Sequence, residues 1–108
     1  MKSYMESNAA ISTLGALAQE TRFAIFTMLV HEEYVGLSAG DIGEKLKIRL
    51  PTLSYHLSQL KRAGLVSSRR RARTIMYSAN HNAIGGLIEH LIKSCCLDSG
   101  PSDGSAAH

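Results

Sequence analysis

The chain has no tryptophan, only two prolines and two cysteines among 108 residues, and 6% aromatics. Its cysteines are adjacent, Cys95 and Cys96, so they cannot form a disulfide framework. No apolar run approaches bilayer-spanning length, and the N-terminus lacks the charged-then-apolar order of a secretory signal. The expectation is a cytoplasmic protein with no membrane partner. Also missing are a Ser-His-Asp set, paired carboxylates, a phosphate-binding loop and a complete metal constellation, which argues against an enzyme. A further absence is more informative. Between Lys45 and Ile88 there is no acidic residue, while nine basic ones stand there: Lys45, Lys47, Arg49, Lys61, Arg62, Arg69, Arg70, Arg71 and Arg73. The whole chain carries 12 basic and 9 acidic residues, so the rest of it is strongly acidic. Charge segregated in this way suits a positive face for a phosphate backbone.

Inside the acid-free stretch, Arg49 to Val66 reads RLPTLSYHLSQLKRAGLV. Leu53, Leu57 and Leu60 fall at i, i+4 and i+7, giving a helix one apolar face. Pro51 fits a first helical position and Gly64 the C-terminal stop. The opposite face carries Thr52, Ser54, Tyr55, Ser58 and Gln59, and Lys61 and Arg62 close the last turn. Short hydroxyls and an amide reach base edges without the bulk that would keep a helix out of a groove. An ordinary amphipathic surface helix has the same periodicity, and the residues that follow separate the two. Leu65-Val66 starts a strand, SSRRRAR reads as a basic turn and TIMYS as the return strand. A helix feeding an arginine-tipped hairpin outlines a winged helix-turn-helix. The DNA-binding set is then Arg49, Thr52, Ser54, Tyr55, Ser58, Gln59, Lys61, Arg62, Arg69, Arg70, Arg71 and Arg73. The wing arginines meet minor groove or phosphates, Lys61 and Arg62 meet phosphates, and the polar face of the helix reads the major groove.

The remaining chain predicts a mainly α fold with a small β-hairpin, in the order ααααββα. It forms one domain over residues 1–98, with a disordered tail over 99–108 and frayed residues at 1–6. A first helix starts at Ser7 or Asn8 with Ala10, Ile11, Leu14 and Leu17 at helical spacing. A second starts near Gln19-Glu20 and buries Phe23, Phe26, Leu29 and Val30. Ser38 and Asp41 form a capping box for a third, with Ile42 and Leu46 inward. The last helix spans His81 to Leu97, with a stripe of Ile84, Leu87, Ile88, Leu91 and Ile92 and a weak point at Gly85-Gly86, as expected for close packing against another backbone. Apolar stripes on the first and last helices need a second surface, and the economical one is a second copy of the chain. A homodimer through those helices sets two recognition helices about one DNA turn, roughly 34 Å, apart on an inverted repeat of double-stranded DNA.

Three segments carry a family resemblance: LAQETRFAIFTML (Leu17 to Leu29), SYHLSQLKRAGLV (Ser54 to Val66) and the basic hairpin ending at Tyr77. Over roughly residues 8 to 96 the chain resembles the ArsR/SmtB winged-helix, metal- and metalloid-responsive repressors. It departs from them at Gln19-Glu20-Thr21-Arg22, where Asp-Pro-Thr-Arg is usual, and at Ala72, where the wing turn commonly has glycine. The resemblance implies a dimeric repressor that leaves its operator when an inducer binds. The Cys-x-Cys of arsenic-type members falls on Val35-Gly36-Leu37-Ser38, which has no thiol. The zinc-type site is matched only in part, with wrong spacing, by Asn80-His81-Asn82 and Glu89-His90.

What remains is the Cys95-Cys96 pair. Soft thiolates select thiophilic ions, and resemblance to members with C-terminal cysteine pairs implies a trivalent arsenical, arsenite or methylarsenite, as inducer. Family arsenite sites usually use three thiols. Here Ser94, Ser99 and Ser102 are hard, weak donors, so an organoarsenical needing two sulfurs, a completing water, or a lost or replaced thiol all stay open. So do a redox, persulfide or other soft-metal switch on the same fold, a winged helix that binds protein, and cysteines that are merely small apolar residues. His56, on the flank of the apolar face, is expected to be a hydrogen-bonded structural histidine.

Overall fold

Five helices and three short strands follow one another in the computed structural model, which describes residues 6–32 and 35–97 and only the backbone of 96 and 97. They are α1 (Ser7–Leu17), α2 (Glu20–Val30), β1 (Leu37–Ser38), α3 (Ala39–Leu46), α4 (Leu50–Arg62), β2 (Val66–Arg71), β3 (Thr74–Ala79) and α5 (His81–Ile92). A π-helical turn, Lys93–Leu97, continues α5. Of the start expected to fray at 1–6, only Glu6 is described, and it is the N-cap residue of α1, its carbonyl accepting from the Ala10 N–H (2.9 Å). Residues 1–5, the tail and the domain boundary at 98–108 lie outside the described residues.

Local chemistry sets the helix ends. The Gln19 side chain accepts from the Arg22 N–H (2.8 Å) at the start of α2, and Ser38 Oγ accepts from the Asp41 N–H (3.1 Å) at the start of α3. Lys47 closes α3 in the left-handed region (φ 57°). Gly43 allows the tight turn into α4, because a Cβ there would lie 2.9 Å from the Ile48 carbonyl oxygen. Pro51 is the second residue of α4 rather than the first, still among the positions whose N–H needs no helical partner. Gly64 (φ 81°) ends α4 in a paired cap: Leu65 N–H donates to Leu60 C=O (3.0 Å) and Gly64 N–H to Lys61 C=O (3.0 Å). Asn80 then ties the start of α5 to that corner, its N–H donating to Leu65 C=O (2.8 Å) and its amide to Gly64 C=O (2.9 Å).

One core holds these elements together. Ile25, Phe26 and Leu29 of α2, Ile42 of α3 and Leu53, Leu57 and Leu60 of α4 are buried, with Leu37, Leu65, Val66 and Ala83 around them. The periodicity of α4 is therefore its packing face. Phe23 corrects an expectation: it is 54% exposed. The buried stripe of α2 runs through Ile25, Phe26 and Leu29, and at about 100° per residue Phe23 sits about 110° from its centre.

The hairpin gains a third strand. β1 pairs with β3 (Leu37↔Tyr77, Ser38↔Met76), giving an antiparallel sheet in the order β1-β3-β2. Gly36 (φ 83°) makes this possible, since a Cβ there would collide with the Tyr77 carbonyl oxygen and sit 2.7 Å from Ser78 Oγ. In the wing, β2 and β3 stay paired out to Arg71↔Thr74, so the turn is only Ala72-Arg73, with Ala72 at φ 59°. Arg69, Arg70 and Arg71, expected in the turn, lie on β2, because backbone pairing continues through them.

α1 and α5 pack together and leave apolar side chains outside: Ile11 is 67% and Ile88 51% exposed, and Leu14, Leu91 and Ile92 are exposed as well. The last helix is α-helical only to Ile92, and widens to the π-turn where a continuous α-helix was expected. Of the Gly85-Gly86 pair, Gly85 is exposed with nothing within 4 Å of a Cβ built on it, whereas Gly86 is half-buried and borders a cleft with Ala9 and Thr13 of α1. Among the described residues, no helix is long and apolar enough to cross a membrane.

Candidate nucleic-acid interface

The polar face of α4 is outward because its other side is locked in the core. Leu53, Leu57, Leu60 and His56 point in, so helical phase puts Tyr55 and Arg62 on the opposite crest. Thr52 and Gln59 fall on one flank, and Ser54, Ser58 and Lys61 on the other. All are exposed except Gln59, which is half-buried beside α1. Tyr55, 57% exposed, rests edge-on against the His56 ring at 5.3 Å. Ser58 Oγ donates to the Tyr55 carbonyl (2.8 Å), which leaves its lone pairs outward. Arg49, also exposed, is the N-cap residue of α4.

A part-buried contact ties this helix to its neighbours. Arg22 Nε donates to the Ala16 carbonyl (2.7 Å), and one terminal nitrogen of the same guanidinium lies 3.3 Å from His56 Nδ1. Burial, and then the Arg22 charge, push the His56 pKa below its ordinary value, so the ring is neutral and Nδ1 accepts. α1, α2 and α4 are thereby joined through one side chain. His56 is the structural histidine its flank position suggested. The partner Arg22 went unassigned in the sequence, since it stands 34 residues away and no local pattern links the two.

The wing arginines divide. Arg69 reaches the Val35 carbonyl (3.0 Å) and braces the segment before β1, which distinguishes it from a free phosphate contact. Arg70, Arg71 and Arg73 are exposed and make no hydrogen bond or ion pair among the described residues. Along β2 the side chains alternate, so Arg70 shares a face with Ser68, and Arg71 takes the other. Lys61 Nζ donates to Ser68 Oγ (2.7 Å), joining the end of α4 to β2. The structure thus places Arg49, Thr52, Ser54, Tyr55, Ser58, Lys61, Arg62, Arg70, Arg71 and Arg73 on the exposed surface of helix and wing. Of the predicted set, Lys61 also holds Ser68, Arg69 holds the Val35 carbonyl, and Gln59 and Arg62 border the cavity beside α1.

The thiol end is separate from this surface in sequence and in element. Cys95 is exposed on the π-turn that continues α5. Ser94 Oγ lies 3.5 Å from His90 Nε2. The side chain of Cys96, together with Ser99 and Ser102, lies outside the described residues. Among the described residues, no group of three or more His, Cys, Asp or Glu is placed to hold a metal ion.

Comparison with known proteins follows the same outline. A family profile described as "Helix-turn-helix domain" matches residues 17–69. The transcriptional activator HlyU of Vibrio cholerae is 36% identical over 94 residues, covering 85% of this chain and 84% of that protein. A biofilm growth-associated repressor of Agrobacterium fabrum is 37% identical over 83 residues, covering 77% of this chain and 68% of that protein. Among solved structures, an ArsR-like transcriptional regulator from Rhodococcus sp. RHA1 superposes with a TM-score of 0.77 at 26% identity, over 85% of this chain and 84% of that one. Reduced HlyU from Vibrio cholerae gives 0.65 at 34% identity, over 83% and 92%.

Proposed function

Because the chain belongs to the ArsR/SmtB family of winged helix-turn-helix transcription regulators, we propose that it is a homodimeric repressor released from its operator by a soft, thiol-binding inducer. One observation carries the DNA half of this reading. The outward face of α4 adjoins a wing whose Arg70, Arg71 and Arg73 make no hydrogen bond or ion pair among the described residues, inside a stretch of sequence with no acid. α4 enters the major groove with Thr52, Ser54, Tyr55 and Ser58 toward base edges, while Arg49, Lys61, Arg62 and the wing cations neutralise phosphates. Gln59 reads bases from the flank nearest α1. Occupancy of a promoter represses by itself, so the role asks nothing of the fold beyond tight DNA binding. The exposed apolar strip of α1 and α5 supports pairing of two copies, which presents two α4 helices to an inverted repeat.

The inducer site is assigned to Cys95 and Cys96, and the ligand to a trivalent arsenical that needs two sulfurs, such as methylarsenite. Support comes from the softness of thiolate donors and from the exposure of Cys95 at the end of α5, which carries part of the strip. A redox switch is the second reading, favoured by that same exposure and by the relative whose solved form is described as reduced. Ring strain in a disulfide between adjacent residues weighs against it.

A mobility shift on inverted-repeat DNA, titrated in parallel with arsenite, methylarsenite, cadmium, zinc and peroxide, separates these readings. Methylarsenite should release DNA from the wild type and not from the Cys95→Ser/Cys96→Ser variant, which should still bind. Loss of DNA binding in that variant would contradict the assignment, and release by peroxide but not arsenicals would reverse the ranking. Linkage makes the coupling reciprocal: operator DNA weakens the arsenical by the same factor, about 1–3 kcal/mol in typical cases.

A further inference from the structure

We propose that the cavity between α1, α2 and α4 is a seat for a phosphate-type oxyanion, held by Arg22 and Arg62 with help from Gln59 and Ser12. The cavity measures about 260 Å³. A water's share of liquid volume is about 30 Å³, so a tetrahedral anion fits there with part of its hydration shell. Small residues, Gly15, Ala16 and Ala63, make up part of its lining, and none of the described residues that line it is acidic.

The charge on its wall is unbalanced. Arg22 is half-buried, and among the described residues it pairs with a carbonyl oxygen and a neutral imidazole rather than with a carboxylate. A guanidinium has five N–H donors, and these two contacts use two of them. A partly desolvated cation with spare donors costs free energy that a bound anion would return, and the planar fork matches two oxygens of a phosphate or carboxylate. Arg62 adds a second guanidinium from the last turn of α4, while the Gln59 amide and the Ser12 hydroxyl add neutral donors.

The position gives the seat a consequence. Gln59 and Arg62 belong both to the cavity and to the proposed DNA-reading helix, so an anion here competes for them or fixes their pose. The oxyanion can arrive on a diffusible phosphorylated molecule or as a phosphate of the operator backbone, since the chemistry is shared. Only the link to DNA rests on the repressor reading; anion binding does not.

The test uses the full chain, with sodium orthophosphate titrated against sodium chloride at constant ionic strength and amide and guanidinium NMR shifts as the readout. Saturable shifts are expected at Arg22 Nε–H, the Gln59 side-chain amide and Ala16. They should weaken at least tenfold in Ser12→Glu, whose carboxylate occupies the seat, and persist in the uncharged Ser12→Gln. Gly15→Glu serves where Ser12→Glu melts, because a Cβ at Gly15 meets nothing within 4 Å. Operator binding by the same pair of variants identifies the source. Saturation by orthophosphate with equal operator affinity in Ser12→Glu and Ser12→Gln assigns a diffusible anion. No saturation, with operator affinity lower in Ser12→Glu than in Ser12→Gln, assigns a backbone phosphate. Non-saturating shifts with no difference between the variants in either assay overturn the proposal. A protein that binds orthophosphate here and no DNA keeps the seat and defeats the repressor reading.

Discussion

Replacing Arg70, Arg71 and Arg73 together by glutamine should flatten the salt dependence of operator binding while leaving the fold intact. The three side chains are exposed and make no hydrogen bond or ion pair among the described residues, so their loss should cost no more than about 0.5 kcal/mol of stability each. Each neutralised phosphate adds about 0.9 to the slope of log affinity against log salt. Three arginines on each of two protomers therefore account for up to about 5 units of slope. Between about 50 and 200 mM salt that slope corresponds to roughly a thousandfold of affinity, which the wild type should lose and the variant should not. Fluorescence anisotropy on an inverted-repeat duplex across that range measures it. Arg69→Gln is the internal control. Its guanidinium is held by the Val35 carbonyl, so its loss should leave the slope nearly unchanged and cost about 0.5–1 kcal/mol, a few degrees of melting temperature. A triple variant with the wild-type slope refutes the wing as a phosphate clamp. An Arg69→Gln variant that loses slope without losing stability refutes the division among the arginines.

Three further outcomes follow from the packing. Gly36→Ala should destabilise by about 3 kcal/mol or more, since it adds a collision with the Tyr77 carbonyl to the left-handed backbone penalty; Gly64→Ala, with open space around it, should cost only about 1 kcal/mol in a denaturant melt. His56 has its pKa lowered in the fold, so below about 6.5 the unfolded chain takes the proton first. Stability is then fully present above that pH and declines as pH falls toward the folded-state value, by at most about 1.4 kcal/mol per pH unit; His56→Gln should remove that slope, as urea midpoints from pH 7.5 to 5 would show. Ile88→Glu with Leu91→Glu should convert the proposed dimer to monomer in light scattering and weaken operator binding, and a variant that remains dimeric would move the interface elsewhere.

Much of the architecture was legible because local chemistry and periodicity decided it. Leu53, Leu57 and Leu60 could face only one way on a helix, Ser38 could cap only the turn after it, and Gly64 was the natural left-handed stop. The outward polar face of α4 was legible for the same reason: once the leucines are buried, Tyr55 and Ser58 can only point away from the core. Phe23 was not, because α2 has apolar residues on several sides and its periodicity does not choose between Phe23 and Ile25. A two-residue strand such as Leu37-Ser38 has no periodicity at all, and it exists only because β3 lies alongside it.

The linear order of residues determined which helix presents polar side chains, where it stops, and that the cations concentrate around it, since each depends on neighbours within about one helical turn. Folding in three dimensions decided the rest. It brought Arg22 to His56 across 34 residues and drew Arg69 from the wing to the Val35 carbonyl. Those contacts join segments far apart in the chain, and their energies depend on packing that no local spacing encodes.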